Sequence, residues 1–248
     1  MQITETVKQL IIINIIFFVG SLFVAQANAY LPMFYFENPQ FGFWQPLTSM
    51  FMHGGLTHIL FNMFGLFMFG SLLERFWGGK KFLFYYISCG LGASLLHQVF
   101  NYIEFHSAHD ALTNLGVTPT EIQSLLQFGS TQTSVSLTSE IQQSVNTLYK
   151  AFNTPVVGAS GAIYGILVAF AYMFPEEKLM FFLIPIAIKA KFFVPGLLLI
   201  DLISGLNGGA FLGQSTGIAH FAHLGGAITG FIILVNWKKN QFKGSRWD

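Results

Sequence analysis

Gly158-Ala159-Ser160-Gly161-Ala162-Ile163-Tyr164-Gly165-Ile166-Leu167-Val168-Ala169-Phe170 sets a hydroxyl between glycines near the start of the apolar run 155–174. A spanning helix needs about 20 mostly apolar residues, so this run is long enough to cross a bilayer. A serine there is either a packing residue that bonds a neighbouring backbone or a reacting group. A second stretch, Ala222-His223-Leu224-Gly225-Gly226, puts an imidazole in the corresponding part of the run 218–236. Further runs lie at 10–29, 57–73 and 82–102. The stretch 179–206 is interrupted by Lys189, Lys191 and two prolines, so its first part is expected at the interface, with a helix crossing from about Phe192. The expected fold is an all-α integral membrane bundle of six transmembrane helices. Composition agrees: 53% of residues are hydrophobic and 9% charged, against about a quarter charged in soluble domains.

Lysine and arginine collect in short cytoplasmic loops beside spans. With the N-terminus inside, the inner segments hold Lys8, Arg75, Lys80, Lys81, Lys178, Lys189, Lys191, Lys238, Lys239, Lys243 and Arg246, which is all but Lys150 of the twelve basic residues. Both termini are therefore expected in the cytoplasm. The basic residues act as topological anchors, and a net charge of +1 leaves no nucleic-acid patch. The first apolar run follows a short polar segment with one lysine and ends without an A-x-A cleavage site followed by a soluble domain, so it reads as a first span rather than a signal peptide. The single cysteine, Cys89, has no partner for a disulfide or a C-x-x-C site.

Residues 1–248 read as one membrane domain carrying an outer insertion at 103–154. The first outer segment, 30–56, is rich in aromatics broken by proline and glycine, which suits an interfacial loop. Within 103–154, Thr118-Pro119-Thr120-Glu121 followed by Ile122, Leu125, Leu126 and Gly129 carries the signals of a capped helix. A second short amphipathic helix is expected at 138–150. Loops of this length are functional or disordered, and one positioned above the site would gate substrate entry.

With this topology, spans two, four and six enter from the outer face, and their early residues share one depth. Ser160 and His223, each five residues into its run (from Pro155 and Ile218), are expected roughly 8 Å below the outer helix ends at about 1.5 Å per residue. Gly161-x-x-x-Gly165 and Gly226-x-x-x-Gly230 allow close helix approach. Polar groups inside spans are costly and face the interior or water. A serine needs a base to take its proton, and neutral histidine is the commonest. Donors must also face the developing oxyanion. His58 and Asn62, spaced i, i+4, share a helix face, and the Ser160 backbone N–H is a third donor. Tyr164, one turn after Ser160, can stack on His223. The sequence is not a G-x-S-x-G elbow, because position 162 is alanine and no strand precedes the serine.

Other readings stay open on the residues alone. Each polar residue can be an interhelical packing bond. A metal could use His53, His58, His220 and His223, although no H-E-x-x-H helix is present to supply a bound water and a base. Asp201 is an intramembrane acid of the kind found in transporters. His106, His109 and Asp110 are expected to be solvated.

At these residues the chain resembles the rhomboid family of intramembrane serine proteases, in its bacterial six-span form. His58-Ile59-Leu60-Phe61-Asn62 is similar to the family's H-x-x-x-N, Gly158-Ala159-Ser160-Gly161 to its G-x-S-G, and Ala222-His223-Leu224-Gly225-Gly226 with Gly230 to its A-H-x-x-G-x-x-x-G. The resemblance implies Ser160 as nucleophile, His223 as base, His58 and Asn62 as oxyanion-hole donors and Tyr164 as the residue packed on the base, supported by Gly158, Gly161 and Gly226. It also implies cleavage of transmembrane protein substrates near the outer surface of a lipid bilayer, without metal, cofactor or nucleic acid. The implied location is the bacterial cytoplasmic membrane. A catalytically silent relative that binds or escorts transmembrane helices is the alternative. Two features depart from the pattern: the long loop before span four, and Trp44-Gln45 where many relatives have Trp-Arg.

Overall fold

The computed structural model describes residues 2–128, 138–181, 184–207, 210–211, 214–215 and 219–243. Gly129 and Ile218, expected as a helix end and a span start, lie outside these. The first helix, α1 (Glu5–Phe23), lacks a local side-chain cap at Thr4. Its orphan N–H groups, which every helix start leaves, find a distant acceptor: the Thr6 and Val7 amides each donate to the Glu74 carboxylate at 2.9 Å. The short α2 (Ala25–Tyr30) then leads into the first outer segment. That segment contains α3 (Gln45–Thr48) and a 3-10 turn, Ser49–Phe51.

Gln45, the residue after Trp44 in this segment, is fully buried. Its Oε1 accepts from the Phe34 amide at 3.1 Å, and its Nε2 donates to the carbonyls of Gln40 at 2.8 Å and Tyr30 at 3.3 Å. A neutral amide thus ties the loop together through both its acceptor and its donor.

The second rod comprises α4 (Leu56–Gly65), a π turn at Leu66–Gly70 and α5 (Ser71–Trp77). A Cβ at Gly70 would lie 3.0–3.1 Å from Phe82, Leu66 and Val7, so the chain is tight where it crosses its neighbours. The next helix, α6 (Gly79–Asn114), is 36 residues long and continues past the expected span end at 102. The added turns bury Phe105, Ala108 and Leu112, which are spaced to share one helix face. Packing against the outer helices therefore sustains the extension.

Those outer helices are α7 (Pro119–Phe128) and α8 (Ser139–Asn153). With Tyr35 and the end of α6 they enclose a separate apolar core that includes Leu112, Ile122, Leu125, Ile141, Val145 and Leu148. The chain returns through α9 (Ser160–Met173) and an antiparallel hairpin, β1 (Lys178–Phe181) with β2 (Ile184–Lys189). It continues through α10 (Ala190–Leu206), the short pair β3 (Ala210–Phe211) and β4 (Gln214–Ser215), and α11 (His220–Lys243). The hairpin occupies the region expected at the interface, and α10 starts two residues before Phe192.

Among the described residues, four helices are long and apolar enough to cross a membrane: Glu5–Phe23, Leu56–Trp77, Gly79–Asn114 and His220–Lys238. Ser160–Met173 is a shorter apolar helix. It packs centrally, between α6 and α11, through glycine. A Cβ at Gly165 would meet Cys89 and, at 3.1 Å, the Gly226 carbonyl. One at Gly230 would lie 3.0 Å from the Gly165 Cα, and one at Gly226 would collide with the Gly161 carbonyl. In an apolar solvent, close backbone approach replaces the hydrophobic effect as the source of helix association.

Candidate active site

The site residues cluster at helix starts. Ser160 is the first residue of α9, His58 the third of α4 and His223 the fourth of α11. Ser160 is thus at the tip of its helix rather than several residues inside it, because Thr154–Ala159 is not helical. Gly158, at φ +130°, makes the turn into the helix. A side chain there would be strained by its backbone and would strike His58 Nε2 at 2.8 Å. At the beginning of α9 the Ser160 N–H has no acceptor within its own helix, and the positive end of the helix dipole adds to its pull on an anion.

The Ser160 Oγ and His223 Nε2 lie 2.9 Å apart. Tyr164 stacks on the His223 ring at 4.0 Å between centroids and 12° between planes. His58 Nδ1 accepts from the Gly54 amide at 3.3 Å, so in the neutral ring Nε2 carries the proton. The same Cβ position at Gly158 that meets His58 Nε2 lies 3.5 Å from Ser160 Oγ, so that N–H faces the serine's surroundings. Asn62 is buried, and its Nδ2 has no hydrogen-bond partner. Gly161 and Gly226 bring α9 and α11 together directly behind the pair: a Cβ at Gly161 would crowd Ala93 and sit 3.4 Å from the Ala222 carbonyl.

A cavity of about 900 Å³ opens over these groups, lined by His58, Gly158, Ser160 and His223. Asn62 stands behind its wall. The cavity is also lined by His97, Asn101 and Glu104 of α6 and by Lys150 of α8. His53 sits beside His58, with ring centroids 5.0 Å apart, and burial followed by the neighbouring His58 pulls its pKa down to about 4. His106 pairs with Glu37 at 3.3 Å and His109 with Asp110 at 3.6 Å, all at the surface.

The larger departure from the sequence reading is Asp201. Considered there only as an isolated acid, it is buried on α10, with Oδ1 3.2 Å from His223 Nδ1 and 2.5 Å from His220 Nδ1. No motif signals this, because the partners lie 22 and 19 residues apart in sequence and on different helices. The polarity of an acid inside an apolar run was the only available clue. Asp201, His220 and His223 also present ligand atoms within 4.8 Å of one another. Here those atoms meet as hydrogen-bond partners. Of the four histidines considered as a metal set, His53 and His58 lie 5.0 Å apart and His220 and His223 6.4 Å apart between ring centroids.

The rhomboid domain family matches residues 40–106 and 112–238. RHOMBOID-like protein 12, mitochondrial, from Arabidopsis thaliana is 27% identical over 198 residues, covering 79% of this chain and 47% of that protein. Rhomboid protease AarA from Providencia stuartii is 27% identical over 203 residues, covering 77% and 55% respectively. Rhomboid protein 1, mitochondrial, from Saccharomyces cerevisiae is 24% identical over 193 residues, covering 77% and 40%. The chain thus spans about half the length of the first two of these relatives. With the family match covering every residue of the site and every long apolar helix but the first, this chain is an integral membrane protein that belongs to the rhomboid family.

Proposed function

We propose that the chain is an intramembrane serine endopeptidase that cuts transmembrane segments of other membrane proteins near the outer surface. The observation that carries this reading is the 2.9 Å approach of Ser160 Oγ to His223 Nε2 beside a cavity wide enough for an extended segment. His223 Nε2 takes the hydroxyl proton as Oγ attacks the scissile carbonyl carbon. The carbonyl oxygen becomes an anion facing His58 Nε2–H, the Asn62 amide and the Ser160 N–H, donors of the kind that stabilise such intermediates. The imidazolium then returns its proton to the leaving amine, and water repeats the cycle on the acyl-enzyme. A substrate helix must unwind locally first, since its backbone is internally bonded. In this reading no cofactor takes part, both termini face the cytoplasm of a bacterial cell, and the outer insertion 103–154 lies above the cavity.

The test is cleavage of a single-span substrate by the full chain in liposomes. Wild type is expected to cut it, while Ser160→Ala and His223→Ala lose turnover by at least about 10³-fold. If wild type binds several substrates and cuts none, the silent escort reading replaces this one.

A further inference from the structure

We propose that Asp201 is a positioning residue for His223, so that the pair is extended to a Ser–His–Asp relay assembled from α9, α11 and α10. The inference rests on the reading of Ser160 and His223 as nucleophile and base. An ionised carboxylate can only accept hydrogen bonds. Oδ1 lies within reach of Nδ1 of both His220 and His223, so both Nδ1 atoms donate. A neutral imidazole has one N–H. Donation from Nδ1 leaves His223 Nε2 bare, and that atom is the one 2.9 Å from the Ser160 hydroxyl. The carboxylate thereby selects the tautomer that can take the proton.

Two constraints on the ring are complementary. Tyr164, stacked at 12°, fixes the plane of the imidazole but permits rotation within it. The Asp201 contact fixes that rotation. The Tyr164 hydroxyl also faces the Asp201 carboxyl, so one side chain braces both partners. His220 donates to the same Oδ1 and holds the acid in place when His223 moves. Burying an ionised acid in an apolar bundle costs free energy unless it is paired. At 4% exposure the position is compensated by two imidazole donors, one of which belongs to the base. During proton transfer the same carboxylate stands beside the imidazolium as its counter-charge.

In soluble serine hydrolases, replacing the corresponding acid by its amide lowers turnover by about 10⁴-fold through the wrong tautomer. The experiment uses the full chain in liposomes and measures the rate at which a fluorophosphonate probe labels Ser160. For Asp201→Asn, nearly isosteric, we expect labelling and kcat to fall by about 10²–10⁴-fold with KM within about twofold. Asp201→Ala is expected to be as slow, and to recover in part when formate is added, a response that a packing role would not give. Equal labelling of wild type and Asp201→Asn would overturn the relay while leaving the serine reading intact. A rate loss that only follows a lowered melting temperature would also overturn it. So would inactivation of wild type by a chelator, reversed by zinc, which would make Asp201, His220 and His223 a metal site. Failure of wild type to label at all would sink the serine reading and the relay together.

Discussion

The outer layer of α7, α8 and the end of α6 and the central bundle of α6, α9 and α11 are both helical cores, yet they are built by different rules. The outer layer buries Leu112, Leu125, Ile141 and Leu148 on helices whose other faces are polar, as water requires. The bundle brings backbones together at Gly161, Gly165, Gly226 and Gly230, where no side chain intervenes. One core is held by the volume of its side chains, the other by their absence. The candidate site lies on the border between them, in a cavity lined by Ser160 and His223 of the bundle and by Lys150 of α8.

The contrast predicts opposite responses to size. Gly226→Val places atoms on the Gly161 carbonyl, a backbone group that cannot rotate away. The general cost of overpacking is about 1–3 kcal/mol, and we expect this variant to exceed it, with loss of folded protein in thermal unfolding. The bundle view fails if valine is accepted there without a shift in melting temperature. Leu148→Ala does the reverse, leaving a void in a fully buried position of the outer core. A loss of about 3 kcal/mol is expected, read as faster hydrogen exchange confined to α7 and α8. If exchange rose equally in α9 and α11, the two cores would be one cooperative unit and the comparison would dissolve.

Legibility in the sequence followed the same division. The helix at Pro119–Phe128 was readable from Thr118 and Glu121 because its signal is local: Glu121 accepts from the Thr118 amide at 2.8 Å, and Thr118 Oγ1 accepts in return from the Glu121 amide at 3.4 Å. The glycine spacings on α9 and α11 were equally visible, and the structure sets them face to face. The length of α6 was not readable, because Phe105, Ala108 and Leu112 appear polar-flanked until α7 and α8 cover them. Nor was the non-helical lead into Ser160, which depends on the left-handed Gly158. Asp201 is the extreme case, since only the folded positions of α10 and α11 bring it to His223.

The border between the cores should respond to acid. The unfolded His53 imidazole protonates near its ordinary 6.5, whereas in the folded chain burial, with His58 alongside, delays this to about 4. Between those values the unfolded state binds more protons, so stability falls as pH drops from about 6.5 to 4 and is unaffected above that window. The full loss is about 3 kcal/mol. Denaturation midpoints in detergent across this range would show it, and His53→Phe should flatten the slope. An unchanged slope would assign the acid response to groups elsewhere.

The smallest effects concern how each region satisfies the same helix-start donors. In the bundle, α1 depends on Glu74, which is 67 residues from the Val7 amide it accepts. In the outer layer, α7 is completed by Thr118 and Glu121, three residues apart and exposed. A buried charged acceptor is worth more than an exposed neutral one. Glu74→Gln should therefore cost about 2 kcal/mol and loosen α1 against α5 as well as destabilising the helix start. Thr118→Ala should cost about 1 kcal/mol and affect α7 alone. Measuring both by thermal unfolding, with site-specific exchange at Val7 and Ile122, sets a long-range contact against a local one performing the same task. Equal costs would mean that water reaches the α1 terminus, and that the bundle's edge obeys the rules of the outer layer.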